Sequence, residues 1–170
     1  IFRISSNSSG GAANGSSSDA KVSGNGRYVS FTSVANNLVP GDTNGSTDVF
    51  LFDLWNGSIQ RISVTTAGAE GAGPSSDAAA STDGRYVVFE SYSGLVPNDT
   101  DATTDIYLRD TVLGTTTLAS TYDNNTPLPG VHFEPEISGD GDVIVFTSDG
   151  DIADDDKNGN PDTAHQYGPC

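Results

Sequence analysis

The chain of 170 residues carries 23 acidic against 7 basic side chains, and its formal net charge of −16 argues against nucleic acid or an anionic membrane surface as partner and in favour of cations. It contains no apolar run of about 20 residues, so no helical membrane span is expected. A hydrophobic content of 34% with 20 glycines, abundant Ser, Thr, Asn and Asp, and no helical periodicity predicts an all-β fold of short strands joined by turns.

In chain order, the first predicted element is a strand over residues 1–5, followed by a Gly/Ser-rich stretch, 5–18, read as a mobile connection. A short leading strand near 20–23 precedes a central strand over 27–33, which follows an Asn-Gly turn and is apolar on both faces. An acidic loop, 42–48, then leads into a strand over 48–53, a tight turn at 55–58 and a strand over 59–64. The same order returns as 78–81, 85–91, the loop 99–105, then 105–110, a turn at 113–115 and 116–120. A third copy runs through 135–138, 141–148 and a loop at 154–162, and its last strand, 163–167, is a poor copy.

The loops recur at a spacing of 57 residues, and a fixed period of this size marks units that cannot bury an apolar face alone and must stack. Three units follow, 1–58, 59–115 and 116–170, in a single array spanning 1–170. Trp55 and the Tyr and Phe residues fall on repeat positions and are expected in the packing between units.

Each loop reads Asp-x-Asn/Asp-Gly/Ala-x-x-Asp, with side-chain oxygens at its first, third and seventh positions. Candidate metal ligands are Asp42, Asn44 and Asp48; Asp99, Asp101 and Asp105; and Asp154, Asp156, Asn158 and Asp162. Oxygen-only donors in irregular geometry suit Ca2+, and about three ions per chain are expected; zinc and copper want the His or Cys that these loops lack. The third loop is similar to the aspartate-rich calcium loops of thrombospondin type 3 repeats. The alternative is that all three are Asx-type turns, since Asp, Asn and Gly are also default turn residues. A second acidic register, Asp19, Asp77 and Glu134, offers one carboxylate per unit, either to complete metal shells, to bridge units or to cap turns.

Catalytic signals are thin. His132 and His165 share no spacing and stand beside no nucleophile, no elbow, zinc cluster or phosphate loop is present, and no enzyme activity is expected. Cys170 is the single cysteine, so no internal disulfide forms, and it is either a free thiol or an intermolecular link. The start at Ile1 without a basic-plus-apolar leader is read as the mature form of an exported protein, at the cell surface or extracellular. Asn-x-Ser/Thr triplets at Asn7, Asn14, Asn44, Asn56, Asn98 and Asn124 permit glycans.

The run Ser-Thr-Asp83-Gly-Arg-Tyr-Val-Val-Phe-Glu-Ser, with Leu-Val-Pro-Asn-Asp99-Thr and Thr-Asp105-Ile-Tyr-Leu-Arg-Asp110, resembles the TolB-type, WD-like β-propeller repeat over nearly the whole chain. That resemblance implies four-stranded antiparallel blades and says little of activity, because such propellers serve as binding platforms, accessory domains and surface proteins. Propellers close with four to eight blades, and this chain supplies three, the last without a fourth strand. Residues 1–5 supply a fourth strand with no blade of its own. We therefore expect this strand to complete the last blade of a neighbouring chain, giving a head-to-tail homopolymer: a calcium-stabilised extracellular filament or surface assembly. The alternative is a binding module, for a protein or glycan, within a larger exported protein.

Overall fold

A computed structural model describes residues 1, 3–122, 124–150 and 162–167. Eleven strands form three antiparallel sheets, with no helix among the described residues. The first sheet orders β1 (Ser17–Val22), β2 (Tyr28–Ser33), β3 (Asp48–Asp53) and β4 (Ile59–Arg61) as a meander. The second repeats it with β5 (Ser75–Ala80), β6 (Tyr86–Ser91), β7 (Asp105–Asp110) and β8 (Thr115–Leu118). The third contains β9 (His132–Ile137), β10 (Val143–Ser148) and β11 (Asp162–Tyr167), with β10 central. The all-β blades expected from the sequence are therefore present, and the first two sheets are phased one strand later than the sequence units, ending on β4 and β8.

The recurring Ser and Gly residues have mechanical reasons. Ser23, Ser81 and Ser138 each accept the backbone N–H five residues on, at 3.0, 3.0 and 2.9 Å, closing the turn between the first two strands. Gly84 (φ +72°) and Gly141 (φ +86°) sit beneath the rings of Tyr28 and Tyr86, where a Cβ would lie 2.5 and 2.4 Å from the ring. Each blade thus lays a tyrosine over the turn of the next, and only glycine permits both the backbone angle and the approach. The arginine between that Gly and Tyr is also explained: Arg27 and Arg85 reach across to Asp53 and Asp110 at 2.6 and 2.9 Å on the third strand of their own blade.

Blades stack face to face. Val49, Leu51 and Ile62 of the first pack with Val87, Phe89 and Tyr107 of the second, and Val88, Ile106 and Leu108 of the second pack with Ile144 and Phe146 of the third. Both faces of β6 are therefore covered, which is why its sequence does not alternate. A third cluster, Phe31, Ala35, Leu38, Phe50 and Phe52, lies on the opposite face of the first blade, with Ile4 and Ala13 packed against it.

Two expectations are corrected. The stretch 5–18 is no loose connection: Ser6 pairs with Ala12, the Asn7 side chain closes the turn, and Asn14 bonds Asn36 and Asn37. The same bridge recurs as Val64 with Glu70 and Thr121 with Pro127, so this segment is a full copy of the connection between blades. Residues 3–5 join no ladder among the described residues; the strand expected there needs a partner from another chain. Trp55 is not in the core. It is 77% exposed at the β3–β4 hairpin tip, with the Arg27 guanidinium 4.5 Å from its ring centre, because tip side chains project away from the stacking face.

Candidate metal centre

The loop between β6 and β7 gathers three carboxylates. Asp99 and Asp101 belong to the loop, Asp105 opens β7, and one oxygen from each lies within 4.8 Å of the others. Local chemistry sets their orientations. The Asp101 carboxylate accepts the Thr103 N–H at 3.0 Å and its hydroxyl at 2.6 Å, an Asx-type turn that folds the loop inward. Asp105 is buried and accepts the Ser120 hydroxyl at 2.7 Å. Asp99 accepts the hydroxyl of Tyr107, whose ring is stacked on Phe89 at 5.7 Å.

Burial, and then the charges of Asp99 and Asp101, push the Asp105 carboxyl up to about 6. The Tyr107 phenol is likewise pushed up, first by burial and then by Asp99. Burial and the neighbouring carboxylates thus both work against the charged form of these groups. The donors are all oxygen, which suits a hard divalent ion with irregular coordination, calcium before magnesium.

His132, which the sequence did not connect with any loop, lies fully buried at the start of β9. Its Nε2 is 3.9 Å from Asp105 Oδ1 and 3.4 Å from the Leu128 carbonyl, and burial lowers its pKa so that the neutral ring is favoured. A signal existed in the repeat. The His132 N–H donates to the Thr104 carbonyl at 2.8 Å, as the Ser75 N–H donates to Thr47, so this repeat position always adjoins the preceding loop.

The first loop has the same frame and different contents. Asp48 is held by the Ser63 hydroxyl at 2.5 Å, the counterpart of Asp105 with Ser120. Asp42 and Asp48, however, face the Arg61 guanidinium, whose Nη1 lies 3.5 Å from each. Asn44 turns its NH2 toward Asp48 at 3.2 Å and its oxygen toward the Ser46 N–H at 2.9 Å. Asp154, Asp156 and Asn158 of the third loop lie outside the described residues, as does Cys170; of that loop only the Asp162 backbone is described, opposite Ser148 in the same register as Asp48 opposite Ser33.

Asp19, Asp77 and Glu134 occupy inner-strand bulges with positive φ of 53°, 48° and 56°. Asp19 accepts the hydroxyls of Ser18 and Thr32 at 2.8 and 2.9 Å. Lys21 lies 3.9 Å from Asp77 and 2.8 Å from Glu136, joining the inner strands of three blades. Asp77 thus bridges the first two inner strands through Lys21, and Asp19 holds hydroxyls of its own blade.

Against solved structures, the chain superposes on TolB from Acinetobacter baumannii with a TM-score of 0.54 at 19% identity, over 92% of this chain and 30% of that one. The fold is a TolB-like β-propeller array. A TolB-type structure from Agrobacterium tumefaciens gives 0.50 at 22% identity, over 76% of this chain and 37% of that one. An oligogalacturonate lyase from Vibrio parahaemolyticus gives 0.50 at 13%, over 91% and 36%. The TolB-like blades described here therefore span about a third of the length of these structures. No protein-family model and no curated protein matches the sequence.

Proposed function

We propose that the chain is a structural subunit: a set of propeller-type blades, steadied by calcium at the second loop, that stacks head to tail into an extracellular filament or surface assembly. The observation that carries this reading is the seat of the N-terminal segment. Ile4 packs on the outer face of the first blade as Ile62 packs on the second and Ala119 on the third. Each of those two residues directly continues the fourth strand of the preceding blade.

Residues 3–5 therefore emerge where the fourth strand of a preceding blade belongs, and β11 has no outer partner among the described residues. A second copy whose third blade stacks on this first blade receives that strand at the β11 edge, by the same strand addition that completes other open sheets. Dense negative charge opposes such stacking, and calcium offsets it.

The test is electron microscopy and sedimentation of the purified chain with calcium and with chelator. Ordered fibres that dissolve with chelator, and that are lost on deleting residues 1–5, support the reading; a monomer of about the chain's 17.5 kDa in calcium overturns it. Discrete globules within a longer polypeptide favour instead a binding module of a larger protein, a reading supported by the limited coverage of the solved structures.

A further inference from the structure

Resting on the calcium reading of the second loop, we propose that Arg61 is the resident cation of the first loop: locked by Glu70, it closes this loop without a metal ion. The two loops are copies in backbone and in their Ser-held final aspartate, so the difference lies in what faces the carboxylates. From β4, Arg61 directs Nη1 to Asp42, Asp48 and Glu70 at 3.5, 3.5 and 2.9 Å, while its other terminal nitrogen donates to the Gly41 carbonyl at 2.9 Å.

Glu70, from the connection to the second blade, also accepts the Thr43 N–H at 2.9 Å and the Thr43 hydroxyl. The same connection takes the Asn44 amide on the Gly71 carbonyl at 2.9 Å. The loop is thereby latched at two adjacent residues near the start of its acidic motif. One repeat on, beside the second loop, the residues at these positions are Leu118 and Pro127, neither of which can supply a charge.

The Arg61 side chain is 8% exposed, and its Nε is buried without a partner. A guanidinium is tolerated there because three carboxylates surround its far edge. A divalent ion held by Asp42 and Asp48 would stand within a few ångströms of that charge and would have to expel it. Asn44 reinforces the exclusion, since it presents donor hydrogens to Asp48 where Asp101 brings a carboxylate to the second loop.

Below the concentration at which the chain assembles, the experiment follows backbone amides of the full-length chain by NMR as calcium is titrated after chelation, and measures amide exchange in chelator for wild type, Arg61→Gln and Glu70→Gln. The amides of Asn44 and Ser46 are expected to stay unmoved while those of Thr103 and Asp105 shift. In chelator, both variants are expected to speed Thr43 exchange about tenfold; Glu70→Gln leaves an acceptor for Thr43 and should fold even if Arg61→Gln does not. Calcium-induced shifts at Asn44 and Ser46 in the wild type, or unchanged Thr43 exchange in the variants, overturn the proposal. Silence at Thr103 and Asp105 tells against calcium at the second loop, and the lock is then decided by the exchange rates, which involve no metal.

Discussion

Ile4 holds against the stack of Phe31 on Phe50 the place that Ile62 holds against the stack of Phe89 on Tyr107. The ring centres are 5.6 Å apart in one stack and 5.7 Å in the other. Ile4 thus stands to the first blade as Ile62 stands to the second. Replacing Ile4 with Asp removes part of the cover of the Phe31 cluster and places a charge there. We expect about 1–2 kcal/mol of destabilisation in a calcium-saturated melt and loss of the sedimenting assembly at concentrations where the wild type polymerises.

The second loop predicts a calcium dependence that is local. Asp101→Asn removes one of three converging carboxylates without touching the core. Calorimetry should show affinity lowered by about tenfold or more, roughly 1.4 kcal/mol. The calcium-induced rise in melting temperature should shrink accordingly. Unchanged heats in the variant would show that these carboxylates do not bind the ion.

Tyr107 links the core to this loop, since its ring packs between blades and its hydroxyl reaches Asp99. The equivalent residue of the first blade is Phe50. Tyr107→Phe should keep the stack and cost about 1 kcal/mol for the lost hydrogen bond, read by chemical denaturation in chelator. Phe89→Ala, by contrast, leaves a cavity in the same cluster and should cost about 3–5 kcal/mol.

Acid should open the first loop through Glu70. Its carboxyl is held down to about 2, by the Thr43 hydroxyl first, then by the Thr43 N–H and Arg61. A carboxyl depressed in the fold adds stability above its ordinary value of 4.5, and that stability is lost as pH falls toward about 2. Melting in chelator from pH 6 to pH 2 should therefore fall more steeply for wild type than for Glu70→Gln. Parallel curves would mean that the Thr43 and Arg61 contacts are not kept in solution.

Much of the fold was legible because each blade writes its strands and turns locally. The third strands run from Asp48 to Asp53 and from Asp105 to Asp110, as expected from their β-branched and aromatic runs, and the Gly-Arg-Tyr motif marks the turn that each tyrosine covers. The Ser5–Ser18 segment was misread because Gly and Ser look the same in a flexible linker and in a tight, hydrogen-bonded connection. Trp55 was misplaced because repeat position does not say whether a side chain meets the next blade or projects past its edge.

The candidate site divides in the same way. The residue order of the acidic loops follows from the chain alone, because a seven-residue motif and its oxygens are a local property. Which cation answers those oxygens is a matter of tertiary contact. Arg61 and Glu70 reach the first loop from a distant strand and connection, His132 reaches beneath the second from the next blade, and no local pattern carries such distances. Periodicity determines that blades must stack, while the stacking itself decides which buried charges meet a counter-charge and which are left to find one.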